Sequence, residues 1–317
     1  MQHPVVTLTL NPALDGACEA DAVIPTHKIR TRNQRYDPGG GGINAARVLA
    51  ELGQDVCAAF LSGGASGAML QDLLRERQLP FHPLPIAGET RRSLAVYETA
   101  SGQEYRFVPE GPLVSAPEWQ GVLAMAEAMD DGWLIASGSL PRGVPEDFYG
   151  RLAAICGRKG TALVLDTSGP ALAAALEAGG LALIKPSQSE FEDLTGQTFS
   201  DEASLGEAAC ALAAQGKAQH IAVTRGAKGA VLAHGGGWIA LPSPEVETRS
   251  ATGAGDSFIA GMVHGLMSES DLTAAFRWGL AAGAATAMTP GTELCHRKDV
   301  ERLVKQLAQS DIPKHHC

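Results

Sequence analysis

The chain has 317 residues, of which 45% are hydrophobic and 19% are charged. This is the composition of an ordinary globular protein and not of a disordered or fibrous one. Its 25 Lys and Arg residues against 35 Asp and Glu residues leave a net charge of −10. We expect no nucleic acid or anionic membrane surface as a partner, because both require a summed positive potential.

The six cysteines are scattered and form no C-x-x-C pair, which predicts reduced, intracellular thiols. The N-terminus lacks the basic and apolar regions of a signal peptide. No apolar run approaches the roughly 20 residues of a membrane span. We therefore expect a cytoplasmic protein.

Short apolar runs alternate with helical patterns along the chain. The predicted strands are Val5–Leu10, Val56–Leu61, Trp133–Ser137, Ala162–Asp166, Leu181–Lys185 and Ile221–Thr224. The predicted helices are Ile43–Leu52, Gly67–Arg77, Glu118–Met129, Glu146–Arg158, Ala171–Ala178, Glu202–Gln215 and Ser257–Met267. Several strands are apolar on both faces, as in a parallel sheet covered by helices. The alternation predicts a doubly wound α/β fold with a mostly parallel sheet flanked by helices.

Two segments interrupt this alternation, residues 16–35 and 91–108. The first carries basic residues with little helical periodicity, and the second has the pattern of a β-hairpin that turns at 100–102. Both are compatible with a small β-sheet lid over a site or with an ordinary edge hairpin. We expect one domain, 1–317, that carries these lid segments.

The strongest local motif is Thr252-Gly253-Ala254-Gly255-Asp256-Ser257, which precedes an apolar helical stripe. Glycines at a helix start leave backbone N–H groups open to an anion such as a phosphoryl group. A carboxylate among these donors can accept a hydroxyl proton during attack on phosphorus. The alternative is a glycine turn in which Asp256 is a simple N-cap.

A second motif, Asp37-Pro38-Gly39-Gly40-Gly41-Gly42-Ile43-Asn44, leads directly into a predicted helix. Its glycines permit close backbone approach to a polar ligand, and Asn44 can bond a hydroxyl or phosphate. The pattern is neither G-x-G-x-x-G nor G-x-x-x-x-G-K-[ST], so the dinucleotide-binding and P-loop interpretations lose support.

Other polar residues follow strands, where open α/β sheets bind ligands. Asp15 follows the first strand, Ser137 to Pro141 follow another, and Asp166 and Lys185 each close one. A glycine-punctuated strand–turn–strand spans 224–229. Lys28, Arg91 and Arg92 are candidate phosphate clamps, with a solvated basic face as the alternative.

Together these segments resemble the ribokinase-like (PfkB) sugar kinases over essentially the whole chain. Residues 39–44 look like the first signature of the family, and 251–257 look like the second. Residues 7–15, 90–91 and 137–141 are similar to the branch that acts on phosphorylated hexoses. Four glycines before Ile-Asn resemble the minor bacterial 6-phosphofructokinases within that branch.

The resemblance implies a ribokinase-like fold and ATP-dependent phosphorylation of the 1-hydroxyl of fructose 6-phosphate. Asp256 would be the base, beside an anion hole made by the backbone of Thr252, Gly253, Ala254 and Gly255. The sugar would contact Asp15, Gly40, Gly41 and Asn44, and its phosphate would contact Arg91, Ser139 and Lys28. ATP would contact Lys185, Ser187, Thr224, Gly226 and Gly229. Glu190 would organise Mg²⁺ through water, and the lid would also support a homodimer.

Two departures from the family pattern affect cations. Ser187 stands where the family has asparagine, so its contact to phosphate or metal-bound water is open. Thr289 and Glu293 replace the usual Asn and Arg of a loop that binds a monovalent cation in relatives, with Ser250 and Gly291 as the corresponding residues here. A K⁺ requirement is therefore an open question.

Alternatives remain within and outside this activity. The same chemistry on tagatose 6-phosphate or fructose 1-phosphate differs by one stereocentre or phosphate position. A non-catalytic sugar-phosphate or nucleotide sensor is favoured by Ser187 and opposed by the retained Asp256, Glu190 and glycine motifs. A dehydrogenase is disfavoured because no dinucleotide fingerprint follows the first strand.

Overall fold

The computed structural model describes residues 4–269, 271–309 and 314–315. Its strands are β1 (Val5–Thr9), β2 (Ala13–Ala20), β3 (Thr31–Gly39), β4 (Val56–Ser62), β5 (Phe81–Pro85), β6 (Arg91–Glu98), β7 (Gln103–Phe107), β8 (Trp133–Ser137), β9 (Ala162–Asp166), β10 (Leu181–Ile184), β11 (Ala218–Thr224), β12 (Ala230–His234), β13 (Gly237–Leu241) and β14 (Lys314–His315). Its helices are α1 (Gly41–Glu51), α2 (Gly64–Glu76), α3 (Ala116–Ala128), α4 (Phe148–Lys159), α5 (Gly169–Ala178), α6 (Gln188–Thr195), α7 (Glu202–Ala214), α8 (Ala254–Ser268), α9 (Leu272–Ala287) and α10 (Arg297–Leu307).

The main sheet has the strand order β14-β13-β12-β11-β10-β9-β8-β1-β4-β5. Pairing is parallel from β5 to β11 and antiparallel from β11 to β14. The chain passes from β1 to β4 on one side and later returns to β8 on the other side. The order therefore reverses between β1 and β8, and open α/β sheets bind ligands at such a switch point.

Helices cover both faces of this sheet and bury two apolar layers. One layer packs α3, α4, α5 and α7 against the sheet, and the other packs α1, α2, α8, α9 and α10 against the opposite face. Strand β4 is buried at every position, as the two-faced apolar pattern predicted. The doubly wound α/β prediction is confirmed. Among the described residues, no helix combines the length and apolar character needed to cross a bilayer.

A separate four-stranded sheet has the order β3-β2-β6-β7, in which β2 and β6 run parallel. It has a small core of its own around Cys18, Ala20 and Val96. The prediction of a second small sheet is confirmed. Its first segment is wider than the expected 16–35, because β2 begins at Ala13 and β3 ends at Gly39. We call this sheet the lid.

Several elements were not predicted. Strand β5 contains Pro83 and Pro85, which argue against a central strand but are tolerated here at the edge of the sheet. Helices α6, α9 and α10 and strand β13 were also missed, whereas β12 is the strand that follows the turn of the predicted strand–turn–strand at 224–229. The expectation of reduced thiols is confirmed at Cys18, Cys156 and Cys295, which are free and buried, but it is wrong at Cys210, which is disulfide-bonded.

Candidate active site

Three neighbouring parallel strands end in polar side chains at the same edge of the sheet. Ser137 is the last residue of β8, Asp166 is the last of β9, and Lys185 directly follows β10. Lys185 Nζ lies 3.3 Å from Asp166 Oδ1, and Ser137 Oγ donates to Asp166 Oδ2 at 3.4 Å. Ser137 and Lys185 are both buried. This edge therefore holds a buried ammonium next to a carboxylate.

The glycine run brings α1 directly against this edge. A β-carbon on Gly41 would lie 2.0 Å from Ser137 Oγ and 2.8 Å from Asp256 Oδ1, so the close approach requires glycine. The backbone N–H of Ile43 donates to Thr9 Oγ1 at 3.0 Å, which fixes the start of the helix on β1. Asn44 is thereby placed so that its Nδ2 donates to Asp256 Oδ2 at 2.9 Å.

Asp256 lies in the first turn of α8, whose N-cap is Gly253 in the left-handed region at φ 77°. The alternative in which Asp256 is itself the N-cap is therefore wrong. A helix N-terminus favours negative charge. Two of the four N–H groups expected in the anion hole already have partners: Thr252 donates to Ser250 Oγ at 3.2 Å, and Ala254 donates to Ala251 O at 3.4 Å.

Burial raises the pKa of Asp256 to about 6, and the nearby Asp166 carboxylate acts in the same direction. The hydrogen bond from Asn44, the Lys185 ammonium and Ser137 all act to lower this pKa. For Lys185, burial acts to lower the pKa, but Asp166 and Asp256 outweigh it and raise the pKa. A carboxylate whose pKa lies near neutrality can take up a proton and release it again at physiological pH, as a general base requires.

Asp15 lies on the lid strand β2, where it faces the cleft beneath the lid. Ser93 Oγ on the adjacent strand β6 donates to Asp15 Oδ1. Across the other neighbouring strand, a β-carbon on Gly39 would meet Asp15 Oδ2 at 1.9 Å. Burial raises the pKa of Asp15. The structure therefore places the predicted sugar-binding carboxylate in a tight niche between β3 and β6.

The predicted phosphate clamps are only partly brought together. Arg91 donates through its two terminal nitrogens to Pro109 O at 2.9 Å and to Asn11 O at 2.8 Å. Asn11 Nδ2 donates to Glu110 O at 2.9 Å and to Ser139 Oγ at 3.4 Å. Arg91 thus bonds backbone carbonyls where the chain leaves the lid after β7, and Asn11 links this point to Ser139. Lys28 lies exposed in the loop between β2 and β3, and the described contacts do not bring it to them.

The predicted nucleotide-binding residues surround the ends of β10 and β11. Ser187 is the N-cap of α6, where its Oγ accepts from the Glu190 N–H at 3.3 Å and its N–H donates to Glu190 Oε2 at 2.7 Å. The backbone of Ser187 also forms an isolated parallel β-bridge with Thr224. Gly226 and Gly229 frame a short 3-10 turn. A side chain at Gly229 would meet Leu241 O at 2.0 Å, so the chain there passes close to β13.

The residues expected to hold a monovalent cation meet across two loops. Ser250 Oγ donates to Gly291 O at 2.9 Å. Gly291 also lies close to the Arg35 guanidinium, which donates to the neighbouring Pro290 O at 3.3 Å. Thr289 Oγ1 bonds the carbonyls of Thr286 and Glu293. The loop is therefore ordered by its own hydroxyl groups and by an arginine from the lid.

The acidic residues fit a divalent metal that arrives with phosphate oxygens. Mg²⁺ usually keeps several waters and binds one or two carboxylates together with substrate phosphates. Within the described ranges, no group of three or more His, Cys, Asp or Glu residues could hold a metal by itself. Glu190 accepts one hydrogen bond from Ser187 and, as a carboxylate, has further acceptor capacity for metal-bound water.

Sequence reasoning missed some residues of this arrangement. Asp166 was noticed at a strand end but received no role, although it pairs with Lys185. Ser137 and Asn11 likewise received none, although Ser137 touches Asp166 and Asn11 joins the lid exit to Ser139. The signal that could have found all three is their position at the carboxyl ends of central parallel strands.

Comparison with known proteins places these features in one family. A family model described as pfkB family carbohydrate kinase matches residues 9–299. The ATP-dependent 6-phosphofructokinase isozyme 2 of Mycobacterium tuberculosis is 40% identical over 307 residues, which cover 96% of this chain and 90% of that protein. A 1-phosphofructokinase of Xanthomonas campestris is 34% identical over 274 residues, which cover 85% and 86%. Phosphofructokinase-2 from Escherichia coli, crystallised with fructose-6-phosphate, matches with a TM-score of 0.92 at 33% identity over 97% of this chain and 100% of that one.

Proposed function

The chain belongs to the pfkB family of carbohydrate kinases, and we propose that it transfers the γ-phosphoryl group of ATP to the 1-hydroxyl of fructose 6-phosphate. The observation that carries this proposal is Asp256, a carboxylate of raised pKa held by Asn44 at the N-terminus of α8. A base and an anion-binding helix start at one point are what attack of a hydroxyl on phosphorus needs.

In the proposed reaction, Asp256 accepts the proton of the 1-hydroxyl. The hydroxyl oxygen bonds to the γ-phosphorus while the bond to the β–γ bridging oxygen breaks, so that fructose 1,6-bisphosphate and ADP result. The N-terminus of α8 stabilises the negative charge on the transferring group through backbone N–H groups that include those of Gly253 and Gly255. Asn44 keeps Asp256 oriented toward the hydroxyl.

ATP binds with Mg²⁺ near Glu190 in this proposal, and the metal supplies neutralisation of the phosphate charge. Lys185 lies next to both Asp166 and the first turn of α8, since a β-carbon on Gly255 would lie 3.3 Å from its Nζ. It therefore adds positive charge where the γ-phosphoryl group would sit. Thr224, Gly226 and Gly229 line the proposed nucleotide site, with Ser187 next to Thr224.

Asp15, Gly40 and Gly41 contact the sugar in this assignment, and Arg91 and Ser139 contact its existing phosphate. For Arg91 this requires that a phosphate oxygen replace one of the carbonyls it now holds. The chain is one catalytic domain whose lid closes over the sugar, which excludes water and favours transfer over hydrolysis. Lys28 reaches the phosphate only through movement of the lid loop or from a second copy of the chain.

A homodimer through the lid is part of the proposal. The lid exposes Ile24, Tyr97 and Phe107, which are 51%, 45% and 56% exposed. By the strand register, Phe107 lies on the face of Leu94 and Val96, whereas Tyr97 lies on the opposite face. Exposed apolar side chains of this kind are typical of a contact between chains. Ser250 and Gly291 are the proposed place for a monovalent cation, because they meet at the loop that precedes the anion-binding helix.

One alternative activity has support of its own. The Xanthomonas relative is named a 1-phosphofructokinase, so fructose 1-phosphate is the competing acceptor. Tagatose 6-phosphate differs from fructose 6-phosphate at one stereocentre and belongs in the same test.

The test is a coupled assay of ADP release with each of the three sugar phosphates, with and without K⁺. We expect the largest kcat/KM with fructose 6-phosphate. A larger value with fructose 1-phosphate would assign the other activity. Tight binding of the sugars and ATP by calorimetry, with no turnover on any of them, would identify a sensor and overturn the proposal.

A further inference from the structure

Arg47 lies one turn beyond Asn44 on α1, on the same face of the helix. Its Nη1 donates at 3.3 Å to Asn44 Oδ1 and at 3.3 Å to the carbonyl of Pro38, just before the glycine run. The Asn44 side-chain amide in turn donates through Nδ2 to Asp256 Oδ2 at 2.9 Å. Arg47, Asn44 and Asp256 therefore form a continuous chain of hydrogen bonds that ends on the proposed base.

The direction of this chain follows from what each group can donate and accept. A side-chain amide has two orientations that exchange its oxygen and its nitrogen, and its neighbours decide between them. A guanidinium only donates hydrogen bonds, so the atom that faces Arg47 must be the amide oxygen. The nitrogen of Asn44 then faces Asp256. An ionised Asp256 would select this orientation by itself, but a protonated Asp256 would not, because its O–H can also donate to an amide oxygen.

We propose that Arg47 is a positioning residue that keeps the Asn44 amide nitrogen directed at Asp256 throughout the proton transfer. The inference rests on the proposed function, in which Asp256 is the base. Without Arg47, the amide is free to turn when Asp256 is protonated and to accept its O–H. That hydrogen bond favours the protonated acid over the carboxylate. Arg47 prevents it, and so keeps the base ionised at a lower pH.

Charged groups around Asp256 and Arg47 also affect their pKa values, so the test must separate the effect of the Asn44 amide from that of these charges. Asp256 faces Asp166 at the end of β9, Lys185 after β10 and the hydroxyl of Ser137 on β8. The charged groups that act on Arg47 are Asp37, Arg77, Asp15 and Glu293, and its own pKa is lowered, chiefly by burial. The Asn44 amide lies between Arg47 and Asp256, since its oxygen accepts from Arg47 and its nitrogen donates to Asp256. We therefore expect the effect of Arg47 on Asp256 to pass through this amide, and an Asn44→Ala background separates it from a direct effect of the Arg47 charge.

The experiment measures kcat with fructose 6-phosphate from pH 5 to 9 in the wild type, Arg47→Met and Arg47→Lys. For Arg47→Met we expect the acid limb of the kcat–pH profile to shift to higher pH by about one unit. The plateau of kcat above pH 8 should be kept. This shift corresponds to a roughly fivefold lower kcat at pH 6 relative to each protein's own plateau. Lysine also only donates, so Arg47→Lys should return the limb toward that of the wild type.

Two further variants make the result specific. Arg77→Met removes a neighbouring guanidinium that bonds Asp37 and not Asn44, so its limb should stay with that of the wild type. In an Asn44→Ala background, Arg47→Met should move the limb no further, since the amide that transmits the effect is absent. A ¹³C titration of the Asp256 carboxyl carbon reads the same displacement without turnover.

The outcomes are distinguishable. A lower kcat or a higher KM at every pH with an unmoved limb would mean that Arg47 only supports the loop or binds substrate, and would overturn the inference. An equal shift in Arg77→Met would assign the effect to net charge and would also overturn it. Absence of turnover in the wild type would instead refute the proposed function, and the ¹³C titration would still decide the role of Arg47.

Discussion

Replacing the Asp256 carboxylate with an amide should abolish activity and, above neutral pH, stabilise the protein. Burial raises the pKa of Asp256 from 3.8 to about 6. A raised pKa means that the folded state binds the proton more tightly than the unfolded chain does. The stability that this proton contributes is therefore complete below pH 4 and is lost as the pH rises through about 6.

The magnitude follows from the difference between the ordinary pKa of 3.8 and the raised pKa of about 6. At 1.36 kcal/mol per unit, it amounts to ~3 kcal/mol. This is an upper value, because Asp256 remains partly exposed toward the cleft, where water screens its charge. Asp256→Asn cannot ionise and so escapes the loss. We expect the free energy of unfolding of the variant, relative to wild type, to rise by ~1–3 kcal/mol between pH 4.5 and pH 8.

Urea denaturation of both proteins at pH 4.5, 6 and 8 measures this change, and the ADP assay measures turnover in parallel. Loss of a general base should lower kcat by ~10²–10⁴-fold. Asp147→Asn serves as the control, because Asp147 is an exposed carboxylate paired with Arg151 on α4. A stability difference that does not vary with pH would refute the account of burial. Turnover within about tenfold of wild type would refute the assignment of the base.

Three further changes test other parts of the site. Gly41→Ala places a β-carbon 2.0 Å from Ser137 Oγ and should lower kcat by at least ~10²-fold by displacing Asp256. The control Gly121→Ala, where the added carbon meets nothing within 4 Å, should keep wild-type rates. Lys185→Met leaves two carboxylates without their cation and should cost ~3–5 kcal/mol of unfolding free energy at pH 8. Urea titrations should show a smaller loss at pH 5, and adding Asp166→Asn to Lys185→Met should recover part of the lost stability. Ser187→Ala removes the α6 cap and should cost ~1 kcal/mol, whereas Ser187→Asn keeps a good cap; equal losses in both would contradict the capping role.

Much of the fold could be predicted because its central strands are short and buried on both faces. Trp133–Ser137 and Ala162–Asp166 have the predicted bounds. The missed elements lack such a clear apolar pattern in the sequence. Helix α9 is rich in alanine and glycine and buries residues around most of its circumference, so it shows little of the amphipathic period on which helix prediction depends. Strand β5 carries prolines that only an edge position allows.

The site was predictable as a set of motifs but not as a set of contacts. The glycine runs and Asp256 stood out as motifs, and their resemblance to the two signatures of the pfkB family favoured a site over a glycine turn with Asp256 as its N-cap. The partnership of Asp166 with Lys185 joins residues 19 positions apart on neighbouring strands, and no local pattern encodes it. Arg91 was expected to face a phosphate, yet it holds carbonyls at 109 and 11. Such long-range pairs depend on the register of the sheets.

The glycine motifs themselves acquire their meaning only from residues far away in the chain. Gly41 must lack a side chain because Ser137 and Asp256, almost 100 and more than 200 positions later, approach it so closely. Gly39 must lack one because Asp15 turns toward it from the lid. At Gly39 the space that a β-carbon would fill is occupied by the Asp15 carboxylate, and at Gly41 it is occupied by the Ser137 hydroxyl, with the Asp256 carboxylate next to it. The first glycine run therefore serves less as a flexible loop than as a surface against which two acidic side chains are held, one from the lid and one from α8.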